Sequence, residues 1–520
     1  MQAPKILWAD DEIELLKPHI LFLKEKGYEI TPVKSGDEAI EQCQNAFFDI
    51  VFLDEHMPGM SGLEALMQIK AISPDLPIVM ITKSEEEFLM EDAIGSQISD
   101  YLIKPVNPNQ ILLSIKKLLE NKRLVSEKVL VQYRQGFGEL SMNINENLDE
   151  NEWIDVHKKL IHWDMELIKS DDEGMRNVLM AQKIEANSNF SRFIDRNYVN
   201  WIKGKNISGG KAPVMSHTLF FNKVLPLLDN ADPVYFIVMD NLRYDQWKVL
   251  QPMFTEYFRV QEDTCYFSIL PTATNYARNA IFAGLLPIEI EKRFPKLWIN
   301  DEEEGGKNLH EEDFLRDYLQ RLRKDIKFSY NKITNLEAGK NLLDNVNNLQ
   351  KFKLNVIVYN FVDLLSHVRT EMEAIKELAE DEVAYRSLTK SWFQHSPLYE
   401  IVKRLGDKKC NIVLSTDHGS ILVKKPSKII GDRNTTANLR YKNGKNLNYQ
   451  DKEVFAVRKP EEAGLPVQHV SSTYAFAKED FFFVYPNNYN HFVNFYKNTF
   501  QHGGLSMEEM IVPVITMENK

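Results

Sequence analysis

The chain has 520 residues, 63 Lys+Arg against 75 Asp+Glu, and a formal net charge of −12. That length is too great for one domain, and the acidic balance lacks the basic footprint of a duplex-DNA binder. Three scattered cysteines, Cys43, Cys265 and Cys410, exclude a disulfide scaffold and a thiolate zinc cluster and suit a reducing cytosol.

The N-terminus shows no basic segment leading into an apolar core with a cleavage site. The longest apolar runs, such as Val234–Met239, fall far below the ~18 residues of a membrane span. A cytoplasmic chain with no transmembrane segment is expected. Residues 1–120 alternate apolar runs (Lys5–Ala9, Glu29–Val33, Ile50–Leu53, Ile78–Ile81, Tyr101–Ile103) with amphipathic stretches such as Ser61–Ile72 and Ile111–Glu120. Continuous apolar strands between helices predict a doubly wound, five-stranded parallel sheet. Residues 121–205 lose the strand pattern. Trp153–Ile168 and Asp172–Ile184 read as amphipathic helices of a bundle linking two domains, with Ser208-Gly209-Gly210-Lys211 as a hinge. Residues 206–520 return to α/β, with strands at Val234–Met239, Asn355–Tyr359 and Asn411–Ser415. The mostly helical stretch 285–345 and the Asn- and Lys-rich stretch 420–500, with strand-like runs Glu453–Val457 and Phe481–Tyr485, read as cap insertions.

Asp10 and Asp11 end the first strand, Asp54 ends the third, Thr82 ends the fourth and Lys104-Pro105 follows the fifth. In such a sheet these ends converge on one crevice. Three carboxylates make an oxygen-rich site for Mg²⁺, and a hydroxyl and an ammonium facing it suit phosphoryl transfer. The set, with Asp54-x-x-Met57-Pro58-Gly59, resembles the receiver domain of two-component response regulators. That resemblance implies that Asp54 accepts a phosphoryl group from a sensor histidine kinase. It implies that Asp11, Asp54 and the main-chain carbonyl of His56 hold Mg²⁺, with Asp10 acting through water. Thr82, Tyr101 and Lys104 form the switch. Lys83 departs from the small residue usual beside the switch threonine.

In the C-terminal part, Asp240 follows the first strand, Asp363 and His367 (i, i+4) follow the second, and Asp417-His418 follows the third. His502-Gly503-Gly504 lies near the end. An Asp and His set without cysteine suits Zn²⁺, and there are enough ligands for two ions clamping a phosphoryl group. Hydroxyls in Pro271-Thr272-Ala273-Thr274-Asn275 offer a nucleophile. The order resembles the alkaline phosphatase superfamily, and the text around Val238–Asp245 and His502–Glu509 is similar to its PglZ branch. The resemblance implies two Zn²⁺, one on Asp240, Asp417 and His418 with Thr272 bridging as nucleophile, the other on Asp363, His367 and His502. Thr274 is the alternative nucleophile. A threonine in that role implies diesters. Asn275, Arg433, Arg440 and Lys442 are candidate substrate contacts, with Tyr441 a candidate stacking face for a base.

A receiver (1–120), a helical linker (121–205) and a PglZ-like domain (206–520) in this order resemble the PorX-type response regulators of type IX secretion. The resemblance implies coupling to type IX secretion components, phosphodiesterase activity on small or cyclic oligonucleotides, and a phosphorylation-dependent homodimer formed through a face between about Phe88 and Glu120. The alternative is a non-enzymatic, partner-binding regulator whose metals are structural. A DNA-binding output lacks a basic recognition helix.

Overall fold

A computed structural model describes residues 3–520 except 75, 84–97, 169, 171, 207–210, 302, 304–305, 361, 363–380, 433–434 and 470; within the helix that covers them, the side chains of 120–127 also stand outside the description. The chain divides into two compact units, one of residues 1–133 with 169–171, the other of 134–168 with 172–520.

The first unit carries strands β1 (Lys5–Ala9), β2 (Glu29–Val33), β3 (Ile50–Asp54), β4 (Ile78–Thr82) and β5 (Asp100–Ile103). They form one parallel sheet in the order β2-β1-β3-β4-β5. The central strands β3 and β4 are buried along their whole length, as a sheet covered on both faces requires. One layer packs Leu7, Val51 and Leu53 against Ala39 and Ile40 and against Ala65, Leu66 and Ile69 of helix Gly62–Ile72; the other packs Trp8, Phe52 and Ile81 against Ile20, Leu23, Ile111 and Ile115. Gly62 is needed at the end of β3, because a Cβ there would stand 2.3 Å from the Asp54 carbonyl oxygen. In chain order the helices are α1 (Lys17–Glu25), α2 (Gly36–Asn45), α3 (Gly62–Ile72) and α4 (Pro108–Asn145). From Arg134 onward α4 belongs to the second unit.

The second unit holds linker helices α5 (Glu150–Leu167) and α6 (Glu173–Ile202) together with the C-terminal domain. The linker is therefore not a separate body. The apolar stripe of α6 is committed to the domain: the Phe190 and Trp201 rings lie 6.4 and 5.1 Å from the Phe267 ring, and the Tyr198 hydroxyl accepts from Leu270 N at 2.7 Å. The expected hinge at Ser208–Gly210 lies outside the described residues.

The main sheet contains β6 (Val234–Met239), β7 (Phe258–Phe267), β8 (Phe328–Ile333), β9 (Leu354–Tyr359), β10 (Asn411–Ser415) and β11 (Ile511–Asn519), in the order β7-β11-β10-β6-β9-β8. β8, β9, β6 and β10 run parallel; β11 and β7 are antiparallel additions. Around it lie α7 (Tyr244–Thr255), α8 (Thr274–Ala283), α9 (Glu311–Arg321), α10 (Glu382–Gln394) and α11 (Pro397–Gly406). Residues 421–501 build a cap whose short strands include Tyr441–Gly444, Val454–Val457 and Thr473–Ala477 in one small antiparallel sheet. The stretch 285–345 is not wholly helical, since it contributes edge strand β8. Among the described residues no helix is long and apolar enough to cross a membrane.

His157 of α5 is buried beside Tyr244 at the junction with α7. Burial pushes its imidazole down to about 3. The folded chain therefore keeps it neutral, while the unfolded chain protonates it near pH 6.5. Stability from the neutral ring is complete above about pH 6.5 and is lost as pH falls toward 3, at about 1.4 kcal/mol per pH unit for this one group. Urea unfolding from pH 7 to 4 should show a His157→Phe variant losing less stability than wild type by that slope.

Candidate metal and phosphoryl-transfer sites

At the C-terminal edge of the receiver sheet, Asp10, Asp11 and Asp54 bring carboxylate oxygens within 4.8 Å of one another. Asp10 and Asp54 are buried and Asp11 is exposed. Lys104 reaches Asp54 at 2.8 Å and Asp10 at 3.1 Å. Burial raises the Asp54 carboxyl, Lys104 opposes that rise, and Asp10 and Asp11 add to it. Burial pulls Lys104 down, but its hydrogen bonds to Asp54 and Asp10 more than offset this and keep it protonated. Carboxylates crowded in this way fit a hard divalent cation. Thr82 is buried at the end of β4, Tyr101 is 38% exposed, and His56 is exposed in the loop after β3. Part of the expected self-association face, residues 88–97, lies outside the described residues, whereas Leu113 is exposed.

The second site is set by strand register. Ser415 of β10 pairs with Val238 of β6, so Asp417 and Asp240, each two residues further on, emerge side by side. Both are at most 1% exposed, as is His418. Asn241, with a left-handed φ of 62°, turns the chain sharply after Asp240. Asp417 Oδ1 accepts from the backbone N–H groups of Asn241 (3.3 Å) and His418 (3.1 Å). The donor atoms of Asp240, Asp417 and His418 lie within 4.8 Å of one another.

The histidines are oriented by carbonyl oxygens, which can only accept. His418 Nδ1 donates to Gly419 O (3.1 Å), so Nε2 carries the lone pair, 3.8 Å from Asp240 Oδ1 and 3.9 Å from Asp417 Oδ2. His502 Nδ1 donates to Thr272 O (3.2 Å), and its ring stacks on His418 at 4.2 Å. An imidazole pinned through one nitrogen with the other presented beside carboxylates, as in His418, fits a borderline divalent ion. Asp363 and His367, the other expected ligands, lie outside the described residues.

Thr272 is hydrogen-bonded to the segment that carries His502. It is fully buried; its hydroxyl donates to Gly504 O at 2.9 Å and accepts from Gly503 N at 3.0 Å. Those two bonds tie the loop to the His502 segment. Thr274 is the first residue of α8. Its Oγ1 lies 3.0 Å from His418 Nε2 and 3.5 Å from Asp240 Oδ1, at a helix N-terminus whose dipole favours anions.

One turn along α8 stands Arg278, which the sequence reading missed. Its fully buried guanidinium bonds to Asp240 and, through Nε and Nη2, to Asp417 Oδ2 at 2.9 Å; Nη1 reaches Asn360 Oδ1 at 3.3 Å. Burial works against its charge, but Asp240, Asp417 and Glu311 outweigh that and hold the guanidinium firmly protonated. The i, i+4 spacing from Thr274 was the available signal: it puts both side chains on one face of the helix.

The basic segment between the third strand and His502 is not a substrate rim. Arg440 is fully buried, pairs with Glu509 through Nε (3.1 Å) and Nη2 (2.6 Å), and donates to the Phe481 carbonyl. Lys442 is buried on Thr436 O at 2.7 Å. Tyr441 is buried with its hydroxyl on Asp301 at 3.0 Å, so it offers no stacking face. Asn275 stays beside Thr274 and donates to Asp301 Oδ1 at 2.8 Å. Arg433 lies outside the described residues. These side chains complete the cap's core because Glu509 and the backbone carbonyls there need donors.

The profile of the BREX system PglZ alkaline phosphatase-like domain matches residues 219–517, more than half of the chain. The chain belongs to this family. Ahead of the PglZ-like domain, the PorX response regulator linker profile matches 123–202 and the response regulator receiver profile 6–116. The chain is 35% identical over 115 residues to the transcriptional regulatory protein ResD of Bacillus subtilis, covering 22% of this chain and 48% of ResD. It is 31% identical over 137 residues to the alginate biosynthesis transcriptional regulatory protein AlgB of Pseudomonas aeruginosa, covering 26% and 30%. The chain thus spans less than half the length of these curated relatives. Among solved structures, chemotaxis protein CheY4 of Vibrio cholerae is 30% identical, with 22% of this chain and 98% of that chain covered and a TM-score of 0.21. Receiver domains bind Mg²⁺ and take their phosphoryl group from a sensor kinase; alkaline phosphatase-like domains work with metals.

Arg440→Ala leaves the Glu509 carboxylate buried without its partner. It should cost about 3–5 kcal/mol of stability, read by chemical denaturation.

Proposed function

We propose that the PglZ-like domain is a zinc-dependent phosphodiesterase, acting on small or cyclic oligonucleotides, whose nucleophile is Thr274 and whose output is controlled by phosphorylation of Asp54. The placement of the Thr274 hydroxyl against His418 Nε2 and Asp240 carries the reading. Asp240, Asp417 and His418 would hold one ion, and His502 with Asp363 and His367 the other. Bound Zn²⁺ would supply positive charge to the phosphoryl oxygens and lower the pKa of a neighbouring hydroxyl. The protein does the rest. The helix N-terminus at Thr274 orients its hydroxyl and favours the anionic diester. His418, its Nδ1 fixed by Gly419 O, presents its Nε2 lone pair toward the ion site beside Oγ1. Arg278 binds Oδ2 of both Asp240 and Asp417, which fixes the two carboxylates and leaves Asp240 Oδ1 facing His418 and Thr274.

In the receiver, Asp54 takes the phosphoryl group from a sensor histidine kinase, with Lys104 placed to meet its charge and Asp10 and Asp11 to hold Mg²⁺. The added charge draws Thr82 and re-poses Tyr101, which promotes a homodimer. The linker profile, from PorX response regulators, supports a role in type IX secretion control in a cytoplasmic setting.

Thr274→Val should lower hydrolysis of bis(p-nitrophenyl) phosphate by on the order of 10³-fold or more, with zinc content by mass spectrometry unchanged. Thr272→Val should lose thermal stability and lower turnover far less than Thr274→Val does. The reverse pattern would reassign the nucleophile, and a zinc-loaded wild type inert toward every diester would favour the partner-binding alternative. In the receiver, Asp54→Asn should abolish phosphoryl incorporation from acetyl phosphate and any accompanying rise in mass by light scattering.

A further inference from the structure

The segment from His502 to Met510 touches the metal-ligand cluster at one end and linker helix α6 at the other. At the site end, Thr272 stitches it through Gly503 N and Gly504 O, and the His502 ring lies on His418. Its middle is held by Glu509, which accepts from Gly504 N at 2.8 Å and from Ser506 Oγ at 2.7 Å. The turn Met507–Met510 also presses on the residue after His418. Gly419 N donates to Glu509 O at 3.1 Å, and a Cβ at Gly419 would stand 2.0 Å from Glu508 O. A shift of this turn is therefore passed to both histidines, because the contact leaves no slack.

At the far end the turn is gripped by one side chain of α6. Asn187 Nδ2 donates to Glu508 Oε2 (3.0 Å) and Oε1 (3.2 Å), while its Oδ1 accepts from Met507 N at 2.8 Å. Both residues are buried. On its other side α6 is tied to the last part of α4, through Gln182 Nε2 to Ser141 Oγ (2.7 Å) and Asn189 Nδ2 to Ile144 O (2.9 Å). A cavity of about 270 Å³ lined by Leu179, Met180, Ile184 and Glu508 lies beside the clamp.

We propose that Asn187 is a positioning residue through which the linker sets the metal site: its amide clamp on Glu508 and Met507 holds His502 and His418 in register, and movement of α6 loosens or tightens that register. The coupling path is a contiguous set of packed and hydrogen-bonded groups. The inference rests on the cluster being a zinc-dependent hydrolytic site.

The test uses full-length, zinc-loaded protein and four forms: wild type, Asn187→Leu, Asn187→Asp, and the double variant Asn187→Asp with Glu508→Gln. The double variant rebuilds the clamp with donor and acceptor exchanged. Zinc release to a chromogenic chelator and kcat on bis(p-nitrophenyl) phosphate are read beside a thermal melt. Asn187→Leu and Asn187→Asp should release zinc faster and turn over more slowly, each by about 10–100-fold, with KM little changed. The double variant should recover most of both. Wild-type behaviour in Asn187→Leu, or a double variant as impaired as Asn187→Asp, would overturn the proposal. Zinc release reports on the clamp even if wild type hydrolyses nothing, so failure of the enzymatic reading is distinguishable.

Discussion

Two carboxylates buried side by side are the constraint on which the C-terminal domain is built. Asp240 and Asp417 lie at the ends of adjacent parallel strands, at most 1% exposed. Each buried ion costs several kcal/mol unless its charge is met. The surroundings meet it in layers. Backbone N–H groups of Asn241 and His418 bind one oxygen of Asp417, Arg278 binds the other together with Oδ2 of Asp240, and Glu311 behind Arg278 is itself paired with Lys332 at 2.8 Å. The receiver solves the same problem with a smaller set, Lys104 against Asp10 and Asp54. In both units anionic groups gather where parallel strands end, and in both one protein cation falls short of balancing them. That residual charge makes each a place for a divalent cation and a phosphoryl group.

Helix α8 gives the second site its chemistry. Its first residue, Thr274, puts a hydroxyl on His418, and its next turn delivers Arg278 to the carboxylates. A single helix thus fixes both the hydroxyl beside His418 and the counter-ion. The loop before it is anchored by Thr272, whose hydroxyl is spent on Gly503 and Gly504. The two threonines divide the work: one holds the loop to the His502 segment and the other faces the cluster.

Much of this was legible in the sequence. The fully buried strands β3, β4, β6, β9 and β10 read as apolar runs, and Asp10, Asp54, Asp240 and Asp417-His418 were found because each follows one. Elements that sit at edges or obey a mixed pattern were not. β8, Phe-Ser-Tyr-Asn-Lys-Ile, is a half-buried edge strand with a polar composition. β11 carries Pro513, which demotes a strand in a sequence reading, yet it pairs on both sides here. Thr272 and Thr274 share one loop and one residue type, and only the backbone turn into α8 separates their roles. Arg440 looked like a phosphate contact because charge in a turn-rich stretch reads as surface; its partner Glu509 is 69 positions away. The linker read as separate because its helices are amphipathic, while the surface they bury against is distant in sequence.

The central claim is that Asp240, Asp417 and His418 form a divalent-metal site with Thr274 at its edge. Anomalous diffraction at the zinc absorption edge, from crystals of the zinc-loaded protein, tests it most directly. The account predicts a peak enclosed by those three side chains, with Thr274 as the nearest hydroxyl. A zinc-loaded crystal with no peak there, or with the ion ringed by other residues, would contradict it.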